Sequence, residues 1–422
     1  MTTLYDFNGN EIVVSGTAEI TEPAYDDLPC LYWTGLNGST APTSKDDGEI
    51  AGRFIYSSNT QTFSEFATIK IQGNTSVNYP KKNFTLKTFS DLELTKKSKH
   101  EFKNWGKMSK WVLKAHWAES SHLRNVGLAR IWGQIVRSRS DYESLPTELK
   151  ESPNQGATDG FHVKMFINGE YWGIYELIIP KDKLFGQDSD NVNHSILNSG
   201  SQYDSVWFRS TAVMGWEEEL QDAMSTSIRS SWGNVLSMVV NGGFAYNNGK
   251  LDIASVIDWD IFARVFLLSD SLDLNQIFFT YDGTKWYEGA WDLDATMGNS
   301  YNGYITYEYN TVFQDGYLII ASHGHQSNLL YDTIESLFTS QFKARYAELR
   351  SSVLSEENIL DVFEKFYTPI QHLDGLYAED TATTTGGGAF VNMPGKADNN
   401  IQQIRSFMKA RLAYMDGVIE AM

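Results

Sequence analysis

Residues 264–298, RVFLLSDSLDLNQIFFTYDGTKWYEGAWDLDATMG, concentrate the side chains of this sequence that could do chemistry. An apolar helical stretch runs into Asp270, and Asn275 follows five positions later. Ile277 to Tyr281 and Lys285 to Trp291 read as two strands around an Asp282-Gly283 turn. The returning strand delivers Asp292 and Asp294, with Gly298 beyond them. Phosphoryl transfer needs such a set. One carboxylate, Asp270, would orient or deprotonate the attacking group. The amide of Asn275 and a second carboxylate beyond the hairpin would hold the cation that bridges phosphate oxygens. The D-x-x-x-x-N spacing alone arises by chance in most long chains, and Asp282 is explained by the turn. The weight falls on the whole order of helix, Asp, Asn, hairpin and D-L-D. Its bland counterpart is a buried hairpin with exposed turn carboxylates.

A nucleotide also needs cationic phosphate contacts, and these lie upstream. The loop Gly73 to Pro80 can turn backbone N–H groups toward an anion. Lys81, Lys82 and Lys87 follow it, and Lys114 sits on the next strand. Alternation places Lys82, Phe84 and Leu86 on one face, so Lys82 is the lysine expected to face Asp292. Glu119 is expected to pair with one of these lysines, although any single lysine is more often a solvated surface residue.

The positioning elements follow from periodicity. Ala67–Ile71, Asn83–Lys87 and Trp111–Ala115 read as strands. The run 120–136 reads as a helix capped by Ser120 or Ser121, with Leu123, Val126, Leu128, Ile131 and Ile135 at helical spacing. His162–Ile167 and Tyr171–Tyr175 flank Asn168-Gly169, a strong hairpin signal. Asn8-Gly9 before Ile12–Val14 reads as another hairpin, residues 36–48 as an exposed loop, and 381–388 as a flexible one. Helices are expected around Trp216–Met224, Trp259–Leu268, Leu330–Leu349 and Asn399–Met422. The expected fold class is α+β: a two-lobed, protein-kinase-like fold with an antiparallel-sheet N-lobe, one helix packed on it, and a mainly helical C-lobe. The boundaries are an N-terminal strand-rich extension at 1–35, the N-lobe at 36–183 and the C-lobe at 184–422, with the site in the cleft between lobes.

Composition narrows the function classes. The chain has 422 residues, 41% of them hydrophobic, which is globular and ample for a buried core. The 14% aromatic content, with 12 Trp and 22 Tyr, suits a large mixed core and also a surface or particle setting. A formal charge of −19 opposes nucleic acid and anionic membranes as general partners, while a few lysines and a divalent cation can reverse the field locally. The one cysteine, Cys30, leaves no intramolecular disulfide and no cysteine-based zinc site. The N-terminal run has neither a basic n-region nor an apolar h-region, so no Sec signal is expected. Synthesis in the cytoplasm is expected, with assembly into a particle or export by another route left open. His323-Gly324-His325 reads as a loop rather than a metal site, and no G-x-S-x-G elbow supports serine-hydrolase chemistry.

Four blocks resemble the CotH (spore-coat protein H) kinase-like family. QGNTSVNYPKKNFTLKTF is similar to its G-N-S/T-S…K-K-x-[FY]-x-[LI]-K block, and WVLKAHWAESSHLRNVGLARIWG to its W-x-L-x-A…S-x-x-R-N block. FHVKMFINGEYWGIYEL is similar to its N-G-x-Y-x-G-x-Y block and GAWDLDATMG to its W-D-[LF]-D-x-x-x-G block. The blocks stand in family order between about residues 65 and 300. The resemblance implies ATP bound with Mg2+ or Mn2+ and phosphate transfer to a serine or threonine of a protein. Asp270 would then be the catalytic carboxylate, with Asn275, Asp292 and Asp294 at the metal. Lys82 would touch phosphate and Arg124 and Asn125 would brace the adjacent helix, with Lys81, Lys114 and Glu119 completing the expected nucleotide-binding set. Many members carry an acidic residue after the G-x-Y strand, where this chain has Leu177-Ile178-Ile179-Pro180-Lys181-Asp182-Lys183. The rival expectation is a catalytically silent structural or adhesion protein of a spore coat, cell surface or phage particle.

Overall fold

The computed structural model describes residues 28–200, 203–246, 249–271, 274–312, 327–371, 384–385, 388–389 and 400–422. The expected Asn8-Gly9 hairpin, the loop at 381–388 apart from two short strand pieces, and His323 and His325 lie outside the described residues.

Seven strands close into a barrel. They are β1 (Cys30–Gly35), β2 (Ile50–Ser57), β3 (Thr62–Gln72), β4 (Asn83–Phe89), β7 (Lys110–Lys114), β8 (Gly160–Ile167) and β9 (Glu170–Ile178). The order around the wall is β1-β2-β3-β4-β7-β9-β8. A small hairpin, β5 (His100–Glu101) with β6 (Lys107–Met108), sits between β4 and β7. Strand β1 pairs antiparallel with β2 and parallel with β8, with Cys30 opposite Lys164. That parallel pairing overturns the expected open antiparallel sheet and, with it, the two-lobed kinase-like architecture. The segment Cys30–Gly35, expected as part of an N-terminal extension, supplies the strand that joins the two sheet edges. Closure removes the unpaired edges that an open sheet exposes. A six-residue strand reading CLYWTG, with Leu31 and Trp33 fully buried, has no local signal that says which partners it bridges.

The barrel interior is filled by alternating residues such as Trp33, Phe54, Ile69, Phe84, Leu86, Leu113, Val163 and Ile174. Helix α1 (Arg124–Arg137) packs against the remainder, with Val126, Leu128, Ile131, Trp132 and Ile135 buried. Of the expected serine caps, Ser121 Oγ accepts from the Leu123 N–H at 3.4 Å, and Glu119 does more. The carboxylate of Glu119 accepts from the backbone N–H of Leu123 at 3.0 Å and Arg124 at 3.4 Å.

After the short helix α2 (Thr147–Glu151) the chain builds a second sheet, β11-β10-β12-β13, from Ser195–Ser199, Trp216–Glu218, Ile277–Thr280 and Trp286–Gly289 in chain order β10 to β13. Trp216, expected in a helix, lies on β11, where its ring packs edge-on against Trp232 and Phe278. The C-terminal part is therefore mixed rather than mainly helical. Around the sheet lie α3 (Thr226–Val240), α4 (Ile253–Phe266), α5 (Leu329–Leu337), α6 (Thr339–Arg350), α7 (Glu356–Gln371) and α8 (Ile401–Ala421). The single helix expected at 330–349 breaks at Phe338, which closes α5 and precedes α6. Among the described residues no helix is long and apolar enough to cross a membrane.

Candidate functional site

The β12–β13 hairpin sets the geometry. Ile277 pairs with Gly289, so Asn275, two residues before β12, and Asp292, three residues after β13, leave the same end of the ladder. Both residues sit at left-handed φ, 60° for Asn275 and 54° for Asp292. Such a backbone costs about 1–3 kcal/mol per residue and persists only where surrounding contacts over-determine it. Those contacts are present. Ser269 donates through N–H and Oγ to Ala295 O, at 3.0 Å each, and Met297 N donates to Phe266 O at 2.7 Å. The Asp270 segment is thereby tied to the Asp292–Gly298 loop.

Lys114, at the end of β7, reaches across from the barrel. Its Nζ lies 2.8 Å from Asp292 Oδ1. Burial works against both charges. Their mutual attraction outweighs it, holding the lysine above and the aspartate below its ordinary pKa. Asp294 behaves oppositely: burial, reinforced by the neighbouring Asp292 charge, pushes its carboxyl up to about 6. Tyr79, on the loop after β3, also belongs here. Burial together with the charges of Asp294, Asp270 and Asp292 pushes its hydroxyl up to about 12, and its OH donates to Tyr301 O at 2.6 Å. The acidic residues of the hairpin end and the Gly73–Pro80 loop thus share one neighbourhood.

The lysines divide differently from expectation. Lys82 does not face Asp292; its Nζ donates to Val77 O at 2.7 Å. The strand begins only at Asn83, so alternation does not extend back to it. Lys81 is the buried one, with Nζ 2.6 Å from Ile174 O and 4.8 Å from the Tyr175 ring centroid. Glu119 pairs not with a lysine but with Arg124 Nη1 at 2.6 Å, both side chains fully buried. Arg124 also donates to Thr296 O and to Gln403 Oε1, at 3.1 and 2.6 Å, and so fastens the Asp292–Gly298 loop to α1 and α8. Asn125 Oδ1 accepts from Leu293 N at 3.3 Å, while its Nδ2 donates to Glu176 Oε2 at 3.0 Å.

Four contributors escaped the sequence reading: Tyr79, His116, Glu176 and Lys181. His116 Nε2 lies 2.7 Å from Glu176 Oε2 in a fully buried pair. Burial opposes the imidazolium, and the Glu176 carboxylate more than compensates, raising its pKa. Lys181 stands 5.3 Å from the centroid of the Trp291 ring and helps lower the Asp292 pKa. The one usable signal was Glu176, a lone carboxylate inside the apolar run GIYELII.

The oxygens that remain are of the kind a hard divalent cation takes. Lys114 takes Asp292 Oδ1, and no described residue donates to Asp292 Oδ2 or to either carboxylate oxygen of Asp294. Asn275 Nδ2 donates to Asp270 Oδ2 at 3.3 Å, leaving its amide oxygen without a donor among the described residues. Two carboxylates and an amide match a cation that completes its shell with phosphate and water. Among the described residues, no group of three or more His, Cys, Asp or Glu is placed to hold a metal ion.

A barrel and a mixed sheet-and-helix body, joined by a lysine–aspartate pair under a strained acidic hairpin end, define the class of protein. Residues 69–415 match the family described as CotH kinase protein, and the chain belongs to that family. Membership suggests a kinase-like function. No curated protein matches the chain.

Proposed function

We propose that this protein is an atypical kinase that binds ATP with Mg2+ or Mn2+ at the Asp292–Asp294 loop and phosphorylates a serine or threonine of a protein acceptor. The observation that carries the reading is the partner-free oxygen set of Asp292 and Asp294, facing a buried lysine. Metal-bound ATP, when present, supplies the phosphoryl group and a cation that offsets its charge. Asp292, Asp294 and the Asn275 amide oxygen would hold the cation. Lys114 supplies positive charge beside them, in a setting where burial strengthens electrostatics. Asp270 accepts the acceptor hydroxyl's proton at its carboxylate, and the Asn275 amide orients that carboxylate. Arg124 and Asn125 hold the loop in register. Nucleotide binding measured with and without Mn2+ tests this directly. Asp292→Ala should abolish cation-dependent binding, whereas Asp270→Ala should bind nucleotide and fail to transfer. Phosphate transfer retained by either variant overturns these assignments.

A second reading, a family member that keeps the fold in a coat, surface or particle without turnover, is favoured by one observation. Asp292 Oδ1 is already occupied by the Lys114 ammonium at 2.8 Å, a pair that stands without any cation or nucleotide. Absence of cation-promoted nucleotide binding would select it.

A further inference from the structure

The outer face of β3, β4 and β7 carries a cavity of about 500 Å3 whose lining includes Lys45, Lys70, Lys87 and Lys110. The register explains the crowding. Lys87 lies directly opposite Lys110 across β4 and β7, and Lys70 opposite Thr85 across β3 and β4. Like charges placed opposite each other in a sheet destabilise it. Glu49 and Asp182 relieve part of that cost, pairing with Lys87 and with Lys110. Lys45 and Lys70 have no ion pair among the described residues, and both are exposed. The groove is thus a cationic feature on a chain of formal charge −19.

Its position relates it to the candidate site. Gln72 and Gly73 line it, and the loop they begin reaches Tyr79 beside the acidic centre. Lys110 and Lys114 have the same parity on β7 and so project from the same side of the strand, about 13 Å apart at strand rise. An extended peptide covers that distance in about four residues.

We propose that this lysine groove docks an acidic segment of the protein acceptor, on the side of β7 from which Lys114 also projects toward the candidate site. The proposal rests on the kinase reading for the word acceptor; the docking does not. A groove of lysines recognises carboxylates through charge, with a salt-sensitive association.

The test uses a fluorescent peptide with one serine and a run of glutamates beginning four residues away, mixed with the full chain without nucleotide. Its control replaces glutamate by glutamine. The acidic peptide should bind, and Lys45→Glu/Lys70→Glu should bind it at least roughly tenfold more weakly while keeping the wild-type thermal midpoint. Equal binding by the reversed variant, or by the glutamine peptide, overturns the proposal. An oligonucleotide of equal charge that competes as well as the peptide overturns it in favour of nucleic acid. Docking through the lysines without phosphate transfer under Mg-ATP leaves the groove standing and removes the kinase reading alone. Transfer to the glutamine peptide as fast as to the acidic one does the reverse.

Discussion

Lys114 and a cation would compete for the same carboxylate, and this decides what the residue does. The ammonium occupies Asp292 Oδ1 at 2.8 Å, so it both lowers the local negative potential and blocks one ligand atom. Lys114→Met removes both effects. Mn2+ binding followed by calorimetry should tighten severalfold, while nucleotide affinity falls because its phosphates lose a cation. Weaker Mn2+ binding in the variant would mean that the lysine organises the loop rather than competing within it. Glu176 acts one layer deeper. It links His116 on the β7 exit to Asn125 on α1, and Asn125 holds Leu293 N. Glu176→Ala leaves His116 buried without its counter-charge and should cost about 3–5 kcal/mol. Glu176→Gln, which keeps an acceptor for Asn125, should lose less. Urea denaturation distinguishes them, and an alanine variant within about 1 kcal/mol of wild type would exclude this role. At this scale the sequence was informative about residue types and weak about partners. Asp270, Asn275, Asp292 and Asp294 stand out as candidates because they flank a hairpin signal. Strand alternation points to Lys82 only if it runs one residue past the true start of β4, and nothing local reveals that a lysine 178 residues from Asp292 becomes its partner.

Elements were more legible than their assembly. Strands β3, β4, β7, β8 and β9 and helix α1 announce themselves by alternation, by Asn168-Gly169 and by helical apolar spacing, because each of those signals is local. Trp216 failed for the opposite reason: β11 is three residues long and exists only because β10 offers it a partner. Within α1, Gly127 shows how an element carries information that propensity misreads. Glycine is a poor helix former, and alanine in its place would gain roughly 1 kcal/mol in an isolated helix. Here an added Cβ would stand 2.6 Å from Phe363 Cε1 on α7, closer than real contacts allow. Overpacking of this kind costs about 1–3 kcal/mol. Gly127→Ala should therefore lower the thermal midpoint despite its better propensity, and Phe363→Leu in the same chain should recover part of the loss. A Gly127→Ala protein that melts higher than wild type would show that α7 yields freely, and that the α1–α7 spacing does not constrain the helix carrying Arg124 and Asn125.

For the molecule as a whole, the sequence indicated a strand-rich first half and a helix-bearing second half, and it misjudged how each closes. Barrel closure depends on β1 meeting β8 in parallel across more than a hundred residues, a long-range pairing that periodicity does not encode. The second sheet is anchored to its helices by a buried polar link of the same long-range kind. Glu288 on β13 accepts a hydrogen bond from the Tyr331 hydroxyl of α5 at 2.6 Å, and its backbone N–H donates to Ser255 Oγ of α4 at 3.0 Å. No cation is paired with this carboxyl among the described residues, and its Oε2 is buried without a hydrogen-bond partner. Burial, opposed only by the Tyr331 hydrogen bond and aided by the nearby Asp260, raises its pKa well above the ordinary 4.5, so the fold holds it protonated. The sign follows from linkage. Below about pH 4.5 the residue is neutral folded or unfolded, and its contribution is fully present. As pH climbs from there toward the raised folded value, the unfolded chain sheds the proton and the folded chain keeps it. Stability then falls by up to about 1.4 kcal/mol per pH unit from this group alone. Glu288→Gln retains the shape and an acceptor for Tyr331 but has no proton to lose. Chemical denaturation of both proteins across that window should show the wild type losing stability relative to the variant as pH rises, with the two closest at the acidic end. Parallel pH profiles would mean that Glu288 ionises freely in the folded molecule and that water reaches the seam between β13 and α5.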